Sequence, residues 1–212
     1  MKTTNPKVLG ISGSPRKKGG TAKLVNEILD ATGIESEYIS LAGKKITPCK
    51  FCLACAKDNL CKVKDDMYDM REKLVQADAL VIGGCNMWSN LNGLTQNFLE
   101  RFFQFHHQGK NPMKGKVGVA VGIGGGSGEA PARVINRYFQ IFGIRSLDTI
   151  TSQGAFACYS CGLGNTCDVS LVQDYVDEDG QIDMSFKPDL DKQPQVKEAA
   201  RKLGQKIKDV LR

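Results

Sequence analysis

Short β-rich runs alternate with amphipathic helices from Lys7 to Ala157, and this alternation most limits the folds open to the chain. Lys7 to Ser12 and Glu37 to Leu41 read as strands. Ala79 to Gly83 and Val117 to Ile123 are near-continuous apolar runs, as a sheet covered on both faces requires. Ser146 to Ala157 contains a fifth strand. Helices are predicted over Thr21 to Ala31, Asp65 to Gln76, Leu91 to His106 and Ala130 to Phe142. Pro194 opens a last one, with Val196, Ala200, Leu203, Ile207 and Leu211 along one stripe. The pattern predicts an α/β fold: an open five-stranded parallel sheet with helices on both faces. No linker interrupts it, so residues 1–212 are expected to form a single domain. Two insertions interrupt the alternation: a cysteine-rich loop over 44–64 after the second strand, and a cysteine-containing, acidic segment over 158–193 with a hairpin around Asp179-Gly180. The C-terminal helix covers 194–212.

Composition narrows the function classes. A formal charge of +6 suits a phosphate ligand or an acidic partner, and no long Lys/Arg block or known motif points to nucleic acid. No apolar run approaches the roughly 18 residues that span a bilayer, so no membrane association is expected. The N-terminal stretch lacks the long apolar core of a secretory leader, which makes a cytoplasmic location the expectation. In a reducing compartment, eight cysteines point to metal ligands or redox groups rather than structural disulfides.

The first strand runs through Ser12, Gly13, Ser14, Pro15 and Arg16 to Gly19, Gly20 and Thr21, where a helix begins. Hydroxyls of Ser12, Ser14 and Thr21 can donate to phosphate oxygens, Gly20 lets the backbone come close, and Arg16 adds charge. The segment has neither the Gly-Lys-Ser/Thr of a Walker loop nor the spacing of the dinucleotide fingerprint, so it suits one terminal phosphate. Ligands of open parallel sheets bind outside the carboxyl ends of the strands. The third strand leads into Cys85, Asn86, Met87, Trp88, Ser89 and Asn90, and the fourth into Gly124, Gly125 and Gly126. Trp88 and Met87 can offer surface to a flat ring, and the asparagines can reach its polar edge.

The loop after the first strand resembles the phosphate loop of the NADPH-dependent FMN reductase branch of the flavodoxin-like superfamily, over roughly residues 6 to 150. Gly19-Gly20-Thr21 stands where that family has a Ser/Asn-Thr pair, and Cys85 where it usually has proline. The resemblance implies a flavodoxin-like strand order of 2-1-3-4-5, with FMN held by the phosphate loop and by the loops after the third and fourth strands.

Cys49-x2-Cys52-x2-Cys55-x5-Cys61 is the most specific signal in the chain. On an ideal helix, steps of three would fan the first three thiols over about 120°, so a wrapping loop is needed to converge them. Such a loop suits an iron–sulfur cubane; tetrahedral zinc and unligated or oxidised thiols are the alternatives. The spacing, with Lys64-Asp65-Asp66-Met67 after it, is similar to the iron–sulfur flavoprotein family. That resemblance implies a [4Fe–4S] cluster on Cys49, Cys52, Cys55 and Cys61, near FMN and often close to a subunit boundary. Cys158-x2-Cys161-x5-Cys167 repeats the last three positions of this spacing. It is a candidate second cluster or zinc site, with Cys85 as a possible fourth ligand; a Cys161–Cys167 disulfide and plain buried thiols are the alternatives. His106 and His107 read as helix-end groups rather than ligands.

No side chain is expected to carry out covalent catalysis; the cofactors would do that work. The resulting expectation is an FMN and [4Fe–4S] oxidoreductase or electron-transfer flavoprotein, fed singly by a ferredoxin-like donor. The rivals are an NAD(P)H-dependent FMN or quinone reductase without a functional cluster, and a non-catalytic redox-sensing or metal-binding module. The helix carrying Phe98, Leu99, Phe102, Phe103 and Phe105 is apolar over a wide face, which predicts a homodimer or a dimer of dimers.

Overall fold

The computed structural model describes residues 6–212. The first five residues, at the start of the stretch read for a leader, lie outside it. Strand β1 spans Lys7–Ser12, helix α1 Gly20–Thr32, β2 Glu35–Ser40, α2 Asp66–Gln76 and β3 Ala79–Met87. The two-residue β4 follows at Asn90–Leu91, then α3 at Gly93–Glu100, β5 at Val117–Gly124, α4 at Glu129–Ile141, β6 at Arg145–Gln153 and α5 at Pro194–Leu211.

Five parallel strands lie in the order β2-β1-β3-β5-β6, which is flavodoxin-like. The sheet has six strands rather than five, because β4 pairs antiparallel with the end of β3. Leu91 therefore belongs to a hairpin and not to the following helix. That helix is also shorter than predicted: it tightens at Arg101–Phe105 into a 3-10 turn.

Alternation along the strands builds two cores. Leu9, Ile11, Leu80 and Ile82 point to one face, where they meet Phe98, Phe102, Phe105 and Phe139. Val8, Val81, Val119 and Val121 point to the other, against Leu24 and Ile28 of α1 and Leu203 and Ile207 of α5. Phe98, Leu99, Phe102 and Phe105 are thus fully buried within their own chain. The breadth of that apolar face comes from its depth in the core; of its five residues only Phe103 stays half-buried, stacked on the exposed Phe51.

Helix α5 crosses α1 at Gly204. A Cβ there would lie 2.5 Å from the Ile28 carbonyl oxygen and 2.6 Å from the Ala31 Cβ. Gly204→Val is expected to force the helices apart at a cost of about 1–3 kcal/mol, read as a lowered urea midpoint with the slope unchanged. Among the described residues no helix is long and apolar enough to cross a membrane.

Candidate functional site

Loops after β1, β3 and β5 meet at the carboxyl edge of the sheet because those strands are neighbours in it. In the first loop Ser12, Ser14 and Thr21 are all buried, although hydroxyl residues in a βα turn ordinarily face water. The Ser12 Oγ has no hydrogen-bond partner. Ser14 Oγ accepts from the Arg16 N–H at 3.2 Å, and the Arg16 side chain is exposed. Helix α1 has Gly19 at its N-cap, with no side-chain cap. Its first N–H groups and the positive end of its dipole therefore remain open to an anion. A buried orphan hydroxyl beside an uncapped helix end fits a bound phosphate group.

Two residues that the sequence reading did not single out fasten this loop. The Gly13 carbonyl accepts from Asn92 Nδ2 at 2.8 Å and from Thr95 Oγ1 at 3.0 Å. Asn92 Oδ1 in turn accepts from the Cys85 N–H at 3.1 Å and lies 2.8 Å from Thr95 Oγ1, whose single proton is shared between it and the Gly13 carbonyl. A Cβ on Gly13 would stand 1.8 Å from Thr95 Oγ1, so only glycine permits this approach. Asn92 occupies the N-cap of α3 but makes no cap bond there. The Asn-x-x-Thr spacing ahead of a helix was the available signal.

The loop after β3 divides into a base and a tip. At the base, Cys85 interacts with the Ser14 hydroxyl and the Arg16 charge. Burial pushes its thiol up from the ordinary value, and the Arg16 charge and the Ser14 hydrogen bond only partly oppose this. Asn86 donates from Nδ2 to the Ser127 carbonyl at 2.8 Å, tying this base to the glycine loop. At the tip, Trp88 and Ser89 take positive φ values of 53° and 59° between the paired Met87 and Asn90, a tight two-residue hairpin turn. Met87, Ser89 and Asn90 are exposed, and Trp88 is 98% exposed. The structure thus gathers Ser12, Ser14, Arg16, Gly20, Thr21, Cys85 and Asn86, and holds Met87, Trp88, Ser89 and Asn90 out on the hairpin. Gly124 and Gly125 lie in the third loop: a Cβ on Gly124 would meet the Ser127 carbonyl at 2.0 Å, and one on Gly125 the Phe156 ring at 2.4 Å. Gly126 faces open space.

The cysteine-rich loop between β2 and α2 wraps without helical period. Phe51, Leu53 and Asn59 adopt left-handed backbone at φ 50°, 56° and 56°, a conformation that costs a non-glycine residue about 1–3 kcal/mol. Side chains from Arg101 to His107 hold the loop in place. Arg101 is buried and donates from Nη1 to Asp65 Oδ2 at 2.6 Å and to the Thr47 carbonyl at 3.1 Å, and from Nη2 to Cys61 Sγ at 3.2 Å. Gln104 Oε1 accepts from the Cys61 N–H at 3.2 Å. Asn59 bonds the backbone of His107 and Lys110. His107 Nε2 lies 3.2 Å from Cys55 Sγ, so this histidine contacts the cysteine loop rather than merely ending a helix.

Burial raises the Cys55 thiol above its ordinary value, and the nearby thiols of Cys61, Cys49 and Cys52 push the same way. Four thiols that feel one another in one loop form a soft donor set suited to iron–sulfur or zinc chemistry. Among the described residues no three His, Cys, Asp or Glu side chains are gathered closely enough to hold a metal ion. All eight cysteines are free, with no Cys161–Cys167 disulfide. Cys85 sits at the phosphate loop beside Ser14 and Arg16. A groove of 530 Å³ runs between α4 and β6, lined by Arg133, Asn136, Arg137 and Thr149. It carries no thiol or orphan hydroxyl, so chemistry rather than concavity assigns the site to the loops.

A parallel sheet in this order, with an anion-ready loop at its switch point, defines the flavodoxin-like class. The profile of the family described as NADPH-dependent FMN reductase matches residues 6–160. An iron–sulfur flavoprotein of Methanocaldococcus jannaschii is 34% identical over 140 residues, covering 64% of this chain and 72% of that protein. Another from Archaeoglobus fulgidus is 32% identical over 121 residues, covering 56% of this chain and 62% of that protein. The solved Trp repressor binding protein of Bacillus subtilis shares the fold, with a TM-score of 0.60 at 18% identity over 92% of this chain and 98% of that one. The chain belongs to the iron–sulfur flavoprotein family, within the NADPH-dependent FMN reductases, and is by class a flavin-dependent oxidoreductase.

Proposed function

We propose that this protein holds FMN at the carboxyl edge of its sheet and a [4Fe–4S] cluster on Cys49, Cys52, Cys55 and Cys61, and serves as an electron-transfer oxidoreductase with a ferredoxin-like donor. The observation that carries the FMN reading is the buried, unpartnered Ser12 hydroxyl beside the uncapped start of α1. When bound, FMN supplies a centre that stores two electrons and a cluster one that moves them singly. The protein's part is to bind and orient. Ser12, Ser14, Thr21 and the α1 N–H groups would grip the phosphate, with Arg16 adding charge at the rim. The backbone near Cys85, Asn86 and Gly124 to Gly126 would face the ring. Arg101, donating to Cys61 Sγ, would stabilise thiolate charge at the cluster.

The net charge of +6 suits an acidic donor protein, and eight free thiols suit the cytoplasm. A homodimer or a dimer of dimers belongs to the same proposal, with the exposed Phe51 and Leu53 of the cysteine loop as surface a second copy would cover. The family profile favours a second reading, direct reduction by NAD(P)H. Rapid flavin reduction by NADPH without a protein donor would select it.

Ser14→Ala with Thr21→Ala removes two donors to a charged phosphate, each worth about 1.5–3 kcal/mol. FMN affinity, followed by flavin fluorescence, is expected to fall at least about a hundredfold. Unchanged affinity would take this loop out of the site.

A further inference from the structure

We infer that the apolar, acidic face of the segment over 158–193 docks on the basic cysteine loop of a second copy of this chain. The inference rests on the dimer proposed above, and it names the surface that covers Phe51 and Leu53. Six large apolar side chains stand exposed in a short stretch: Leu163, Val169, Leu171, Tyr175, Met184 and Phe186. Apolar surface gathered in this way marks a face that another molecule covers. The patch is already ordered within the single chain. Tyr159, buried at its base, stacks on Tyr175 at 6.3 Å between ring centroids, and Tyr175 on Phe186 at 4.9 Å. Asp177 Oδ1 accepts from the N–H groups of Asp179 and Gln181 at 3.1 and 2.8 Å, closing a hairpin between Val176 and Ile182. Rigid aromatic surface loses little freedom when covered, which suits an interface anchor.

Charge selects the occupant. Phe156 to Phe186 hold six carboxylates and no Lys, Arg or His. Among the described residues none of those six has an ion-pair partner, whereas the nearby Asp189 and Asp191 are held by Lys23 and Lys197. Residues 44–64 show the opposite balance, six lysines against one carboxylate. Lys44 and Lys62 pair with Asp66 and Asp58. Lys45, Lys50 and Lys57 are exposed and have no ion-pair partner among the described residues. In sequence they flank Phe51 and Leu53, which are also exposed. Each patch therefore sets exposed apolar groups in a field of one sign, and the two signs are complementary.

The fold lets two copies match both patches at once. Strands β2 and β6 are the two edges of the sheet. The cysteine loop leaves β2 and returns at the start of α2, where the Lys45 N–H donates to Asp66 Oδ2 at 2.6 Å. The acidic segment leaves β6 and returns at the start of α5, where Gln193 Oε1 accepts from the Gln153 N–H at 3.1 Å. Both spring from the carboxyl edge of the sheet, at its opposite ends. A two-fold axis standing on the middle of that edge sets each cysteine loop against the partner's acidic segment, so the contact is made twice and the pair closes. The exposed Trp88 hairpin, at the end of the central strand β3, lies between the two patches.

The test is sedimentation equilibrium of the intact flavoprotein at micromolar concentration. Asp174→Lys/Glu178→Lys/Asp179→Lys makes both patches basic, and Lys45→Glu/Lys50→Glu/Lys57→Glu makes both acidic. All six positions are exposed, so both variants should fold. Each alone is expected to fall to half the wild-type mass or less, its dissociation constant raised at least about tenfold by like charges set face to face. An equimolar mixture of the two should return to the wild-type mass, because one copy is then basic at both patches and the other acidic at both. Variants that keep the wild-type mass would overturn the inference and leave the dimer standing. A mixture that stays at the lower mass would overturn it as well. Monomeric wild type would overturn both the dimer and this pairing of its surfaces.

Discussion

Cys55→Ala is expected to strip about four irons and their sulfide from protein purified without air, and to abolish reduction by ferredoxin. Cys55 is the buried member of its loop, with Sγ 3.2 Å from His107 Nε2. Removing it deletes one thiolate from the donor set, while Asn59, Gln104 and Arg101 still fasten the loop. The flavin loops are built from other segments, so FMN content and its reduction by dithionite should persist. That combination separates the proposed electron-transfer role from a simple flavin reductase, in which NADPH-driven reduction would survive the substitution. Stoichiometric zinc without sulfide in the wild type would defeat the cluster reading, since zinc has no redox role.

Asp65→Asn is expected to destabilise the fold by about 3–5 kcal/mol, the usual loss when one partner of a buried ion pair is removed. Its carboxylate is held by the Arg101 guanidinium, by the Thr47 N–H at 3.1 Å and hydroxyl at 3.0 Å, and by the Met67 N–H at 3.2 Å as the cap of α2. Burial alone would raise its pKa; the Arg101 and Thr47 hydrogen bonds outweigh that and hold it below the ordinary carboxylate value. A depressed folded pKa means stability present above the unfolded value of about 3.9 and lost as pH falls through the lower folded value. Urea midpoints should therefore differ strongly between wild type and Asp65→Asn at pH 7 and converge as pH falls below about 4. Equal midpoints at pH 7 would show that the Asp65–Arg101 pair does not brace the cysteine loop.

Arg101 shows why part of the site could not be read along the chain. It stands in an apolar run of phenylalanines, where a charged residue reads as a solvated position, yet its neighbours Phe102 and Phe105 turn it inward with them. Its partners Asp65 and Cys61 lie 36 and 40 residues away. Asn92 and Thr95 reach Gly13 across 79 and 82 residues, and His107 reaches Cys55 across 52. Such contacts leave no local signature.

Trp88 is the opposite case. Its position in the loop after β3 was legible, but the pairing of Asn90 and Leu91 back onto Asn86 and Met87 was not, and that hairpin lifts the ring into solvent. The same pairing took Leu91 out of the start of the helix expected from it, and Asn92 joined the phosphate loop to the loop after β3.

The sequence by itself determined the alternation of strands and helices, the hydroxyl- and glycine-rich turn after β1 and the spacing of both cysteine groups. Each is a local pattern: side-chain periodicity, turn chemistry and thiol spacing act within a few residues. Only the tertiary structure decided which hydroxyls are buried and left unpartnered, which arginine meets Cys61, and where the hairpin carries Trp88. Those outcomes depend on distant segments packed against one sheet, where burial strengthens a charge pair and isolates a hydroxyl that water would otherwise satisfy.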